Sequence, residues 1–167
     1  MTDITCLSVE YHDDMYPEFA PQPIEVACSK PAEVLWVVTE DGYTEAMVLC
    51  ESHAYHRFSH AVESRQPFRM RLLGDTDRRD FRAGESYANF TDIGEHQAQV
   101  AHYQGWLEAG FCTPDHSSEV FDIGWEWTMI RRVQTILVAV NERMEMEEQA
   151  QYERYSMGED RFNEEAQ

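Results

Sequence analysis

From Gly124 to about Met157, apolar residues recur at steps of three and four: Ile130, Val133, Leu137, Val140 and Met144. Met129 and Ile136 widen the stripe. That period places all seven on one side of a helix. Arg131, Arg132 and Arg143 fall on its other faces. Unbroken, such a helix is about 50 Å long at the usual rise per residue.

A second period appears upstream. Val34 to Glu40 and Tyr43 to Cys50 flank Asp41-Gly42, a pair that readily supplies the positive φ angles of a tight hairpin turn. Antiparallel register then sets Trp36 against Met47 and Val34 against Leu49 on one face, with Leu35, Val37, Ala46 and Val48 on the other. Both faces are apolar, so the hairpin belongs in the middle of the fold, covered on at least part of both sides.

The remaining pattern is weaker. Ile4 to Tyr11 reads as an edge strand and Ile24 to Cys28 as a short one, separated by an acidic, proline-bearing loop. Glu51 to Glu63 reads as a helix with an apolar side of Tyr55, Phe58, Ala61 and Val62, and Pro67 to Leu73 as a strand closed by Gly74-Asp75. Residues 74–91 read as a charged loop, long for a compact domain. Asp92, with Glu95 three residues on, resembles a helix cap, and the helix it opens runs to Gly110. Thr113-Pro114 offers a further helix start.

Strands and helices are thus segregated, which predicts an α+β fold and argues against a doubly wound parallel sheet. The expected architecture is a small antiparallel sheet around the 34–50 hairpin, packed by two or three helices near 52–63, 93–109 and 118–157. One α+β domain is expected over 1–140, with 141–167 an acidic continuation of the last helix.

Charge changes the picture. The net charge is −19, from 32 acidic and 13 basic residues. Residues 1–51 carry 11 acids against one base, and 141–167 carry nine against three, around a middle with 12 against nine. Such a balance repels nucleic acid and anionic membranes and favours a basic protein surface. No apolar run is long enough to span a membrane. The start of the chain has neither a basic stretch nor an apolar signal core. Cys6, Cys28, Cys50 and Cys112 are widely spaced with no C-x-x-C pair, which predicts reduced thiols and a cytoplasmic setting rather than a disulfide framework.

Candidate chemistry is sparse. No two glycines form G-x-G, and no serine sits in G-x-S-x-G, so phosphate-loop, dinucleotide and hydrolase signatures are missing. The reading therefore leans away from an enzyme. The best metal-like group is Cys50, His53, His56 and His60, whose donor types suit zinc. On a helix the three histidines share a side, but His53 and His60 are about 10 Å apart along the axis. An adjacent pair, best His56 with His60, is the expected ligand pair, with His53 or Cys50 as further candidates and His96, His102, Cys112 or His116 as residues that could complete the shell. Arg65, Arg69, Arg71, Arg78, Arg79 and Arg82 form the one basic island, and pairing with nearby acids is favoured over phosphate binding.

The acidic ends carry the leading functional expectation. Asp13, Asp14 and Glu18 early, and Glu145, Glu147, Glu148 and Glu153 on the long helix, can imitate a line of phosphates, with Tyr152 and Tyr155 adding directional contacts. The expectation is a non-enzymatic acidic binding protein, in general character like DNA-mimicking anti-CRISPR or anti-restriction inhibitors, with no cofactor. Its partner would be a basic nucleic-acid-binding host protein, without direct contact to nucleic acid or membrane. The alternatives are a zinc-binding module or enzyme using the His53–His60 helix, and an oligomeric scaffold, such as a homodimer, that buries the long helix against its own copy.

Overall fold

A computed structural model describes residues 4–11, 25–40, 43–112, 114–115 and 118–165. The hairpin forms with the expected register. β3 (Val34–Glu40) runs antiparallel to β4 (Tyr43–Leu49), pairing Trp36 with Met47 and Val34 with Leu49. Its turn residues, Asp41 and Gly42, lie outside the described residues. β5 (Phe68–Leu72) joins the other side of β3, giving the order β4-β3-β5. Two short strands, β1 (Val9–Tyr11) and β2 (Glu25–Ala27), pair antiparallel in a separate sheet. Four helices follow or interleave: α1 (Glu51–Ser64), α2 (Asp75–Phe90), α3 (Glu95–Tyr103) and α4 (Glu119–Glu165). The fold is α+β, as the segregated pattern implies.

The chain divides into two compact units, 1–90 with 113–128 and 91–112 with 129–167. In the first, β3 and the adjoining end of β4 are covered on both faces, while β5 is largely exposed. Leu35, Val37 and Val48 pack with Ile4, Leu7, Phe81 of α2, and Val120 and Ile123 of α4. Trp36 and Leu49 on the opposite face pack with Ala54 and Ala61 of α1. Each buried aliphatic side chain here contributes about 1.5–3 kcal/mol relative to exposure.

Two local expectations change. The side of α1 that is buried is Ala54 and Ala61, two turns apart, while Tyr55, Phe58 and Val62 are exposed. Small residues let the helix lie close over Trp36 and Phe68, whose rings stack at 4.7 Å, and Phe58 meets Phe68 edge-on at 5.6 Å. Residues 75–90 are a helix rather than a loop. Its buried positions are Phe81, Gly84 and Ala88. A Cβ at Gly84 would overlap the Phe121 carbonyl, and one at Gly124 would overlap the Phe81 carbonyl, so α2 and the start of α4 cross backbone to backbone. Glycine is needed at both positions for that approach.

In the second unit, Met129, Val133 and Val140 of α4 are buried, as are Ile93, Ala98 and Ala101. The apolar stripe stops there, because Met144 is exposed. Arg143 holds both carboxylate oxygens of Glu95 at 2.8 Å, and Arg132 donates to the Thr91 carbonyl at 2.6 Å. The α3 cap differs from the expected Asp92: the Gly94 N–H donates to the Gln97 side chain at 3.1 Å, and the helix begins at Glu95.

Candidate metal centre

The Ile4–Ser8 segment runs along the outer edge of β4, where the Leu7 N–H donates to the Val48 carbonyl at 2.9 Å. Cys6, next to it, donates its N–H to the Lys30 carbonyl at 2.9 Å, and the Cys28 N–H donates to Ser8 at 3.2 Å. These bonds bring two cysteines, distant in sequence, to the end of β4. Cys50 sits there as the N-cap of α1, with extended backbone angles (φ −72°, ψ 164°), and His53 lies one turn into the helix. The ligand atoms of Cys6, Cys28, Cys50 and His53 all lie within 4.8 Å of one another.

The spacing fits a metal. With Zn–S near 2.3 Å and Zn–N near 2.0–2.1 Å, a tetrahedral site has S···S edges of about 3.8 Å and S···N edges of about 3.5 Å. His53 Nδ1 lies 3.3 Å from both the Cys6 and Cys50 sulfurs. Closing on an ion would need shifts of a few tenths of an ångström on these edges and of up to about 1 Å on the other donor pairs, which lie within 4.8 Å. Three soft sulfurs and one imidazole select zinc over hard cations such as magnesium or calcium. The three thiols are not joined as disulfides.

Electrostatics at the four positions differ. Burial pushes the Cys6 thiol up to about 11, against the lowering effect of backbone hydrogen bonds at Cys50 and Ser8, while the Cys50 thiol itself adds to the rise. Burial also raises Cys50, but the backbone N–H of His53, the thiols of Cys6 and Cys28, and the charge of Lys30 together bring it below its ordinary value. A thiolate at a helix N-terminus is further favoured by the aligned peptide dipoles.

No protein family, curated protein or solved structure matches this chain. The site therefore stands on its own geometry. Of the metal candidates expected from the sequence, Cys50 and His53 enter the cluster, whereas His56 and His60 are exposed further along α1 and lie outside it. Cys6 and Cys28 complete the cluster instead of His96, His102 or Cys112, which are not in it, and His116 lies outside the described residues. The signal that could have found Cys6 and Cys28 is the Cys50-x-x-His53 half-site, which needs two more donors, in a chain with few cysteines to supply them.

The acidic candidates occupy different positions. Glu145, Glu147, Glu148, Tyr152, Glu153 and Tyr155 are all exposed on α4 within the second unit. Asp13, Asp14 and Glu18 lie outside the described residues. In the basic island, Arg71 grips Asp77 with both guanidinium nitrogens at 2.5 and 2.7 Å, and Arg69 reaches Glu119 at 2.9 Å. Hydrogen bonding to Arg71 holds the Asp77 carboxyl below its usual range against the cost of burial, with the Gly74 N–H and the Arg71 charge helping. Among the described residues, no helix is long and apolar enough to cross a membrane.

Proposed function

We propose that this protein is a non-enzymatic binding module stapled by a structural zinc centre at Cys6, Cys28, Cys50 and His53. The observation that carries the reading is the convergence of four zinc-type donors, from a terminal segment, the exit of β2 and the start of α1, within 4.8 Å. Four protein ligands fill a tetrahedral shell, which is the arrangement of structural rather than catalytic zinc. The ion would tie the N-terminal segment to the end of the sheet. Metal analysis of protein prepared without a histidine tag tests this: one zinc per chain supports it, and a metal-free, fully folded protein sinks it.

The second reading concerns what the module binds. Tyr152 and Tyr155 are 75% and 79% exposed, among glutamates at 145, 147, 148 and 153. Such a face suits a basic surface on a nucleic-acid-binding protein. Capture from a lysate at low salt, then release at high salt, should yield basic nucleoproteins, and replacing the four glutamates with glutamine should abolish the capture. Retention that is indifferent to both changes argues against it.

A further inference from the structure

The three-stranded sheet treats its two edges differently. The β4 edge is covered, since the Leu7 N–H bonds to Val48 across it. The β5 edge has no strand partner among the described residues. Its apolar side chains are also uncovered: Met70 is 51% and Leu72 76% exposed, and Tyr55, Phe58 and Val62 of α1 are exposed. Val34, Ala54, Tyr55, Phe58, Met70 and Leu72 line most of a groove of about 380 Å³ between helix and strand. An open, apolar strand edge is a ready template for another strand unless it is blocked.

The strand suits a second copy of itself. Phe68-Arg69-Met70-Arg71-Leu72 is pseudo-palindromic about Met70. Antiparallel pairing centred there would set Met70 against Met70 and Phe68 of each copy against Leu72 of the other, all on the apolar face. Arg69 would then oppose Arg71 on the reverse face. Like charges there would normally block the edge, but Arg69 is paired with Glu119 and Arg71 with Asp77. Charge points the same way. The chain as a whole carries −19, which opposes self-association, yet residues 51–90 hold six acids against seven arginines. The stretch that carries α1 and β5 therefore adds little to the repulsion between two copies.

We propose that β5 is a dimerisation edge, joining two copies across a two-fold axis at Met70 into one continuous six-stranded sheet. The contact is self-complementary and closed, so it stops at two copies. It would lay the α1 aromatics of each copy beside the partner's strand and cover the groove. The proposal does not depend on the metal centre.

The test is light scattering or sedimentation of the full chain, with Met70→Glu and Met70→Lys variants alone and mixed. Met70 is a surface residue, so both variants should keep the wild-type circular dichroism. The wild type should have the mass of two 19.5 kDa chains at roughly ten micromolar and above. Each variant alone should weaken the dimer by roughly tenfold or more, because identical charges then face each other across the axis. An equimolar mixture should restore the dimer, because Glu then faces Lys. A monomeric wild type overturns the proposal and leaves the edge to a foreign peptide strand. A dimer unchanged in both variants, or a mixture that stays monomeric, overturns it equally.

Discussion

Removing one ligand of the Cys6–Cys28–Cys50–His53 centre is the most informative perturbation, and Cys28→Ser is the gentlest form of it. Serine keeps the size of the side chain and supplies a far poorer zinc ligand. The magnitude follows from the chain path. Cys28 lies 22 positions after Cys6, and Cys50 lies 22 positions after Cys28. Cross-linking a loop of that length lowers the entropy of the unfolded chain by an amount equivalent to about 3 kcal/mol. Losing the Cys28 arm merges two closed loops into one longer loop, so about 3 kcal/mol of stability should go with it. That is a large share of the 5–15 kcal/mol typical of a domain, and corresponds to a fall of about 10 °C in Tm. The assay is thermal unfolding of zinc-loaded wild type, chelated wild type and Cys28→Ser, with zinc measured in each. Cobalt substitution adds a check, since tetrahedral thiolate coordination gives intense visible bands that the variant should lose. His56→Gln combined with His60→Gln should keep both zinc and Tm. If chelation leaves Tm unmoved, or if the double histidine variant loses the metal while Cys28→Ser keeps it, the reasoning fails.

Three further outcomes follow from the packing. Gly84→Ala should cost at least about 2 kcal/mol in urea unfolding, since its methyl meets the Phe121 backbone rather than a movable side chain, and a cost within error of zero would refute the close crossing of α2 and α4. Arg65 caps α1 at φ 57°, in the left-handed region, so Arg65→Gly should gain about 0.5–1 kcal/mol, and a loss would show that its side chain matters more than the backbone strain. Asp77 titrates below its ordinary value because Arg71 stabilises the carboxylate. Its contribution is therefore complete above the unfolded pKa of about 4 and is lost as pH falls from there through the lower folded value. Arg71→Ala should remove about 1 kcal/mol at neutral pH and flatten that acid limb relative to wild type, while parallel pH curves for the two proteins would count against the pair.

The sequence by itself determined what depends on neighbours a few residues away. The hairpin was legible down to its register, because a two-residue Asp41-Gly42 connection between two seven-residue runs leaves one antiparallel pairing, which sets Trp36 against Met47 and Val34 against Leu49. The long C-terminal helix was legible from its three-four spacing, though not the place after Val140 where its stripe ceases to be covered. Tertiary structure decided the rest. α2 has few large apolar residues, and its place in the fold comes from Gly84 meeting a backbone 37 residues further on, a contact invisible to any local period. The buried side of α1 fell to Ala54 and Ala61 rather than to the aromatics, because a flat Trp36–Phe68 stack admits a close helix only through small side chains. The donor set divides the same way. Cys50 and His53 are one helical turn apart and could be paired from the sequence, whereas Cys6 and Cys28 reach them only because the N-terminal segment bonds along β4, and side chains that distant in sequence meet only where folding brings their segments together.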